Sequence, residues 1–391
     1  MKKQTLLVIF LVCGFFSIST FANTTDSTVP EPFRGYDAKS KLTIDYRDLD
    51  SLLDTVVLNT GRSNRKKAAT SRTTTGTRMK FSVNRATVNE GNRFFFEVFE
   101  SNVDNRQILL KIRTRLENIP NAVSLGKFSR DEQLAYWINL YNVTMLEEIV
   151  KVYPERKLEE LLVGKNSVLS KKTLMVAGVP LSLNDIQFTI LKQNYENNPL
   201  VIYGLYQGII GGPNIRKSAY TGKYVYADLI DNTIEFINSN RGTDSKNSRV
   251  FRASSLYERN KVFFPDFNAN LTEHLLTYLE GEEHDELRAA TTIKTDISDW
   301  TVTDLYGNNR DLGGTLANNG AALSGAVSGG NSSRLTDRSV VASRYSPAVM
   351  QKLNELNEKK AEQREGTVTI EEMGQAPDET DAMYQDDSGS N

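Results

Sequence analysis

The chain has 391 residues, 39% hydrophobic and 25% charged, with a formal net charge of −2. That near-balance gives no global field that would select nucleic acid or a membrane surface, and the length suits one large domain or two small ones. One cysteine, Cys13, and two histidines leave little material for thiol or transition-metal chemistry.

The N-terminus, MKKQTLLVIFLVCGFFSISTFA, sets Lys2 and Lys3 before an apolar run from Leu6 to Phe16 and closes on Thr20-Phe21-Ala22. This is the pattern of a secretory signal peptide cleaved near Ala22. Its apolar core is shorter than the roughly 20 residues that a membrane span requires. Cleavage removes Cys13, so the mature chain is expected to have no disulfide, thiol nucleophile or thiolate metal site. A disulfide-free exported chain points to a bacterial periplasm, or to secretion beyond it. No second stretch is long and apolar enough for a transmembrane anchor.

Globular texture runs from residue 33 to 309. LTIDYRDLDSLLDTVV reads as a strand or turn followed by a helix. A basic Ser/Thr-rich loop near 61–89 interrupts, with eight Lys or Arg and no acid. NRQILLKIRTRLENI has helical spacing, with Ile108, Ile112, Arg115 and Leu116 near one face, and Pro120 ends it. SRDEQLAYWINLYNVTMLEEIVKVYP begins with Ser129 as N-cap and Glu132 three residues on, a capping box. It is apolar on almost every face, so it is central in its domain, and Pro154 stops it.

KTLMVAGVPLSL reads as a hairpin or an extended pair, and Ser182 with Asp185 starts a second capped helix. PLVIYGLY reads as a short buried strand. VYADLIDNTIEFINSN is an amphipathic helix with Leu229, Ile230, Ile234 and Ile237 inward. VFFPDFNANLTEHLLTYLEG is a strand or turn and then a helix, and TTIKTDISDWTVTDLYGN closes the domain with a strand. Residues 310–391 form a Gly/Asn/Ser-rich linker, a short helix and an acidic tail with eight Asp or Glu after Arg364. The expected architecture is a single helix-rich α+β domain with a small sheet and a flexible C-terminal tail.

The helix SRDEQLAYWINLYNVTML closely resembles the signature of domain of unknown function 547, which runs roughly as acidic-x-x-Leu-Ala-Phe-Trp-Ile-Asn-Leu-Tyr-Asn. LTIDYRDL, VAGVPLSLNDIQFTILK and DISDWTVTDLYGN resemble further segments of that family in the same order, from Lys41 to Asn308. The loop YGLYQGIIGGPNIR, residues 203–216, falls where the family has His-x-x-Leu-x-Cys-Gly-x-x-Ser-Cys-Pro, a pattern that here begins one residue earlier. Here the histidine position is Ile202, the two cysteine positions are Gln207 and Gly212, and Gly208 and Pro213 are kept. The family's Glu-His in the preceding helix is Gln187-Phe188. The loop's frame remains, and the groups that ionise near neutral pH are gone. An amide cannot serve as a thiolate, and Ile202 cannot serve as acid or base.

A ligand pocket built from this frame would use Asn139, Asn142, Gln187, Tyr203, Gln207, Gly208, Gly212, Asn214 and Arg216. Asn139 and Asn142 sit on the most apolar helix, where an unpaired amide is costly; each is expected to bond backbone outside its helix, the loop being a candidate. Gly208, Gly211 and Gly212 could offer N–H groups to an anion beside Arg216 or Lys217. The alternative is a tight connection that needs small residues.

His274 reads as a packed or surface helix residue, and His284 lies in an acidic cluster that could recruit a divalent cation adventitiously. Asp296, Asp299 and Asp304 lack the spacing of a calcium loop and read as strand-end carboxylates. Neither cofactor nor dedicated metal site is implied.

The expected function is a non-catalytic binding or scaffold protein of the bacterial envelope, serving a small polar ligand or an envelope protein. The alternative is a hydrolase-type enzyme that uses non-thiol groups in the same pocket. Arg62, Arg65, Lys66 and Lys67 could contact an anionic surface, or could simply be solvated.

Overall fold

The computed structural model describes residues 28–67, 86–100, 103–247 and 249–305. Residues 1–27, which include the segment read as a signal peptide, the basic stretch 68–85 and the tail 310–391 lie outside them. Contacts divide the chain into two units. One comprises Met1–Lys66 with Glu90–Asp304, and the architecture below is that unit's. The other comprises Lys67–Asn89 with Leu305–Asn391; within it, residues 86–89 form a turn.

The first half runs α1 (Arg47–Val56), β1 (Val57–Leu58), β2 (Arg93–Phe94), α2 (Glu97–Glu100), α3 (Val103–Ala122), α4 (Arg130–Val152) and α5 (Glu159–Val163). A hairpin of β3 (Leu174–Val176) and β4 (Val179–Leu181) follows. A π-helix (Asp185–Leu191) then continues into α6 (Lys192–Asn194), and a 3-10 helix spans Pro199–Gly204. The second half runs α7 (Val225–Ile237), β5 (Thr243–Asn247), β6 (Val250–Ser254), α8 (Ser255–Arg259), α9 (Phe267–Tyr278), α10 (Glu282–Ala289) and β7 (Thr292–Ile297). This is the expected helix-rich α+β class.

α4 is the axis of the unit. Every residue from Glu132 to Leu146 is buried, as a helix apolar on all sides must be. Trp137 is fully buried and meets Phe33 edge-on at 5.0 Å between ring centroids. The Ser129 side chain caps α4 by accepting from the Glu132 N–H at 3.2 Å. The reciprocal half of the capping box is replaced. The Glu132 carboxylate accepts from Ile44 N–H at 2.9 Å and Gly222 N–H at 3.0 Å, tying two distant segments to the start of the helix.

Several local expectations are corrected. The buried face of α3 is Leu109, Ile112 and Leu116, and Ile108 is exposed. Pro120 sits inside the helix, because only its own N–H is lost and Val123 N–H still reaches the Ile119 carbonyl at 3.0 Å. PLVIYGLY is buried as expected but begins as the 3-10 helix, with Pro199 in its first turn and Asn198 accepting from Leu200 N–H. A short apolar run carries no period that separates strand from helix. On α7 the buried face is Val225, Leu229, Asn232, Thr233, Phe236 and Ile237; Ile230 is exposed and Ile234 half-buried. The Ser182–Asp185 cap is present, with the Ser182 N–H donating to Asp185 at 2.7 Å, but the turns after it are π-helical.

A second core lies around the three-stranded sheet, ordered β5-β6-β7 with an antiparallel and a parallel pair. Ile202, Tyr203, Phe236, Tyr257, Phe264 and Leu275 are among the residues buried together there. The 3-10 helix thus packs into this core just before the chain enters the glycine loop.

Candidate functional site

The loop after Gly204 is held along most of its length by other parts of the chain. Asn142 donates to the Gly204 carbonyl at 2.9 Å and accepts from Tyr206 N–H at 2.9 Å. One turn earlier, Asn139 donates to the Tyr220 carbonyl at 2.8 Å and accepts from Tyr220 N–H at 2.9 Å. Each amide therefore clamps one backbone segment with two bonds, which satisfies both of its polar ends in a dry interior. Asn142 holds the loop itself, and Asn139 holds the segment after it.

Beyond Gln207 the loop pairs with the closing segment as a short antiparallel ladder. Ile209 bridges Val302, Ile210 N–H donates to Thr301 at 2.8 Å, Gly211 N–H donates to Asp299 at 2.8 Å, and Thr303 N–H donates to Gly208 at 2.9 Å. Gly212 N–H turns back to Ile209 at 3.0 Å. The glycines serve this packing. Gly208 has φ +73°, and a Cβ on Gly211 would stand 2.6 Å from the Asp299 backbone nitrogen.

The anion cradle expected from the glycines is therefore corrected, because Gly211 and Gly212 give their N–H groups to backbone carbonyls. Its two basic neighbours are also engaged. Arg216 pairs with Asp228 at 2.6 Å and Lys217 with Asp54 at 2.8 Å.

A buried polar frame holds the far side. Arg241, 1% exposed, donates to the Gly212 carbonyl at 2.5 Å and pairs with Glu235. Glu90 accepts from the N–H groups of Asn240 and Arg241, each at 3.1 Å. Asn214 accepts from Asn92 N–H at 2.8 Å, and Asn232 donates to the Tyr203 carbonyl at 3.1 Å.

The nine candidate pocket residues do not converge on one cavity. Asn139, Asn142 and Arg216 border a void of about 10 Å³ between α1, α4 and the loop, room for about one water. Tyr203 points the other way, into the second core. Its hydroxyl lies 2.8 Å from His274 Nε2 and 3.1 Å from the Tyr257 hydroxyl. His274 is buried against Tyr203, Phe264 and Tyr278, and burial pulls its pKa down to about 4. Gln187 donates to Asn260 Oδ1 at 2.5 Å.

Gln207 is 5% exposed, and its Oε1 accepts from Arg259 Nη2 at 2.9 Å. Arg259 also donates to Ser255 Oγ at 2.8 Å and lies 4.8 Å above the ring of Trp300. Sequence reasoning passed over Arg259, Trp300, Arg241 and Glu90, because no spacing links them to the loop.

Elsewhere, Arg65 is not available to an anionic surface. It donates to the Thr243 carbonyl at 2.8 Å and pairs with Glu283 at 3.1 Å. Arg62 is exposed and 3.7 Å from Glu280, and the side chains of Lys66 and Lys67 are exposed. His284 lies 3.3 Å from Asp285. Among the described residues, no group of three or more His, Cys, Asp or Glu is placed to hold a metal ion, and no helix is long and apolar enough to cross a membrane.

The α4 clamp, the π-helix, the glycine loop and α7 form one continuous stretch of chain. The family model described as "Protein of unknown function, DUF547" matches residues 125–237, from just before α4 to the last residue of α7. The resemblance carried by the α4 motif is thus met over this segment, a narrower span than Lys41–Asn308. No curated protein and no solved structure matches the chain.

Proposed function

We propose that this chain is a non-catalytic binding or scaffold protein of the bacterial envelope, periplasmic or secreted after cleavage near Ala22. The observation that carries this reading is Gln207. It occupies the position of the family's first cysteine, it is buried, and its carbonyl oxygen is held by Arg259. An amide so placed has no ionised form with which to attack a substrate. Ile202, at the histidine position, packs into the apolar core of the sheet and offers no proton. The export step rests on the charged, apolar and small-residue pattern of residues 1–22.

Hydrolysis assays with a panel of activated esters and anilides test the reading, run on the purified protein and on Gln207→Ala and Asp304→Asn. No turnover above buffer is expected. Turnover lost in either variant would overturn the non-catalytic reading. Asp304 is included because the hydrolase alternative has one specific point in its favour. The Tyr153 hydroxyl lies 2.8 Å from Glu97 Oε1 and 3.2 Å from Asp304 Oδ2, an acid–phenol arrangement capable of proton transfer.

A further inference from the structure

Arg259 has an unusual set of neighbours for a half-buried cation. Its two hydrogen-bond acceptors, Gln207 Oε1 and Ser255 Oγ, are both neutral. Glu258, next to it, is exposed and turns to Lys261 at 3.4 Å. The one ionisable side chain coupled to Arg259 among the described residues is the Tyr141 phenol, which burial keeps protonated and neutral, and burial pulls the guanidinium down to about 10. Two other arginines here are treated differently: buried Arg241 has Glu235, and half-buried Arg216 has Asp228. A desolvated charge without an opposite charge is costly.

Two further features belong to the same place. Tyr141 is fully buried on α4, and its hydroxyl has no hydrogen-bond partner. Trp300 is half-buried, with its ring beneath the guanidinium. Its backbone is pinned, since the Trp300 carbonyl accepts from Leu158 N–H at 2.9 Å and the flanking residues pair with the loop. The fork of Arg259 is thus fixed by Gln207, Ser255 and an aromatic face, with more N–H groups than its two acceptors use.

We propose that Arg259, positioned by Gln207 and Trp300, is the recognition point for the carboxylate of a small organic acid. This rests on the binding reading above. A planar guanidinium matches a carboxylate with two parallel bonds. One carboxylate supplies the single negative charge that the cation lacks. A phosphate monoester would bring close to two charges to a place with one cation.

The probes are acetate and benzoate, with inorganic phosphate at matched ionic strength, titrated into the purified protein by tryptophan fluorescence and thermal shift. Trp137 is buried in the other core, so a fluorescence change reports chiefly on Trp300. The carboxylates are expected to change fluorescence saturably and to raise the melting temperature. Arg259→Gln should weaken them about ten- to hundredfold, the effect of losing a charged hydrogen-bond donor.

Gln207→Glu gives an independent arm. It keeps the side-chain shape and supplies an internal carboxylate to Arg259. This variant should melt higher at pH 7 and lose the response to added acetate. Equal responses in the wild type and both variants would place the anion elsewhere and overturn the proposal, as would no response or a stronger one to phosphate. None of these results touches the absence of turnover, so the anion site and the non-catalytic reading fail separately.

Discussion

At the scale of single residues, the structure separates side chains that fill space from those that fix backbone. Trp137 is fully buried in the α4 core, and Trp137→Ala should cost about 3–5 kcal/mol through lost burial and a residual cavity. An unchanged denaturant midpoint would place the residue outside the core. The loop glycines differ in a way that sequence does not reveal. A Cβ on Gly211 meets rigid backbone, 2.6 Å from Asp299 N and 2.9 Å from its O. A Cβ on Gly212 has more room, 3.1 Å from the Ile209 side chain and 3.3 Å from the Ile209 carbonyl oxygen. Gly211→Ala should therefore cost about 1–3 kcal/mol and Gly212→Ala clearly less. Urea melts of the two variants check the order, and a larger loss at Gly212 would contradict the ladder drawn between loop and closing segment.

At the scale of elements, the docking of α9 on the 3-10 helix depends on a neutral histidine. His274 is held at a pKa of about 4, against 6.5 for the free side chain, because burial disfavours its charge. The folded state therefore binds the proton less readily than the unfolded state. Its contribution is complete above pH 6.5, is lost progressively as pH falls toward 4, and amounts to about 3 kcal/mol across that window. Urea midpoints at pH 7.5 and pH 4 should differ more in the wild type than in His274→Phe, which lacks the titrating group. Equal slopes would show that this imidazole does not couple to folding.

The same elements show what the sequence makes legible. α4 could be read because its burial follows from its own composition on every face. The hairpin could be read from Ala177-Gly178, both at positive φ, between two short extended runs. The 3-10 helix could not, since a run of six residues, four of them buried, carries no decisive period. The face of α7 was misplaced because Asn232 and Thr233 are buried for their hydrogen bonds rather than for apolarity. The Asn139 and Asn142 clamps were legible as a need for partners. Arg259 was not, because its acceptor Gln207 lies 52 residues away and no local pattern announces a cation without an acid.

At the scale of the whole molecule, Cys13 is the only thiol in the sequence, and cleavage near Ala22 would leave none. That makes position 207 available as a clean reporter of the loop's electrostatics. Two effects oppose each other there. Burial raises a thiol's pKa by disfavouring the thiolate, while an adjacent cation lowers it. Arg259 lies at 2.9 Å from the present Gln207 oxygen and carries no competing carboxylate pair among the described residues. A charge at hydrogen-bond distance in a partly screened site acts with about 4 kcal/mol, more than partial desolvation removes. In the mature protein carrying Gln207→Cys, the pH profile of iodoacetamide alkylation should therefore turn over below the ordinary value of about 8.5. Adding Arg259→Gln should move the midpoint back above it. The single variant should still hydrolyse no ester, because Ile202 and Phe188 remain where the family has histidines and a nucleophile needs a positioned base. A midpoint at or above the ordinary value in the single variant would show that desolvation prevails at this loop, and that Arg259 does not govern its charge.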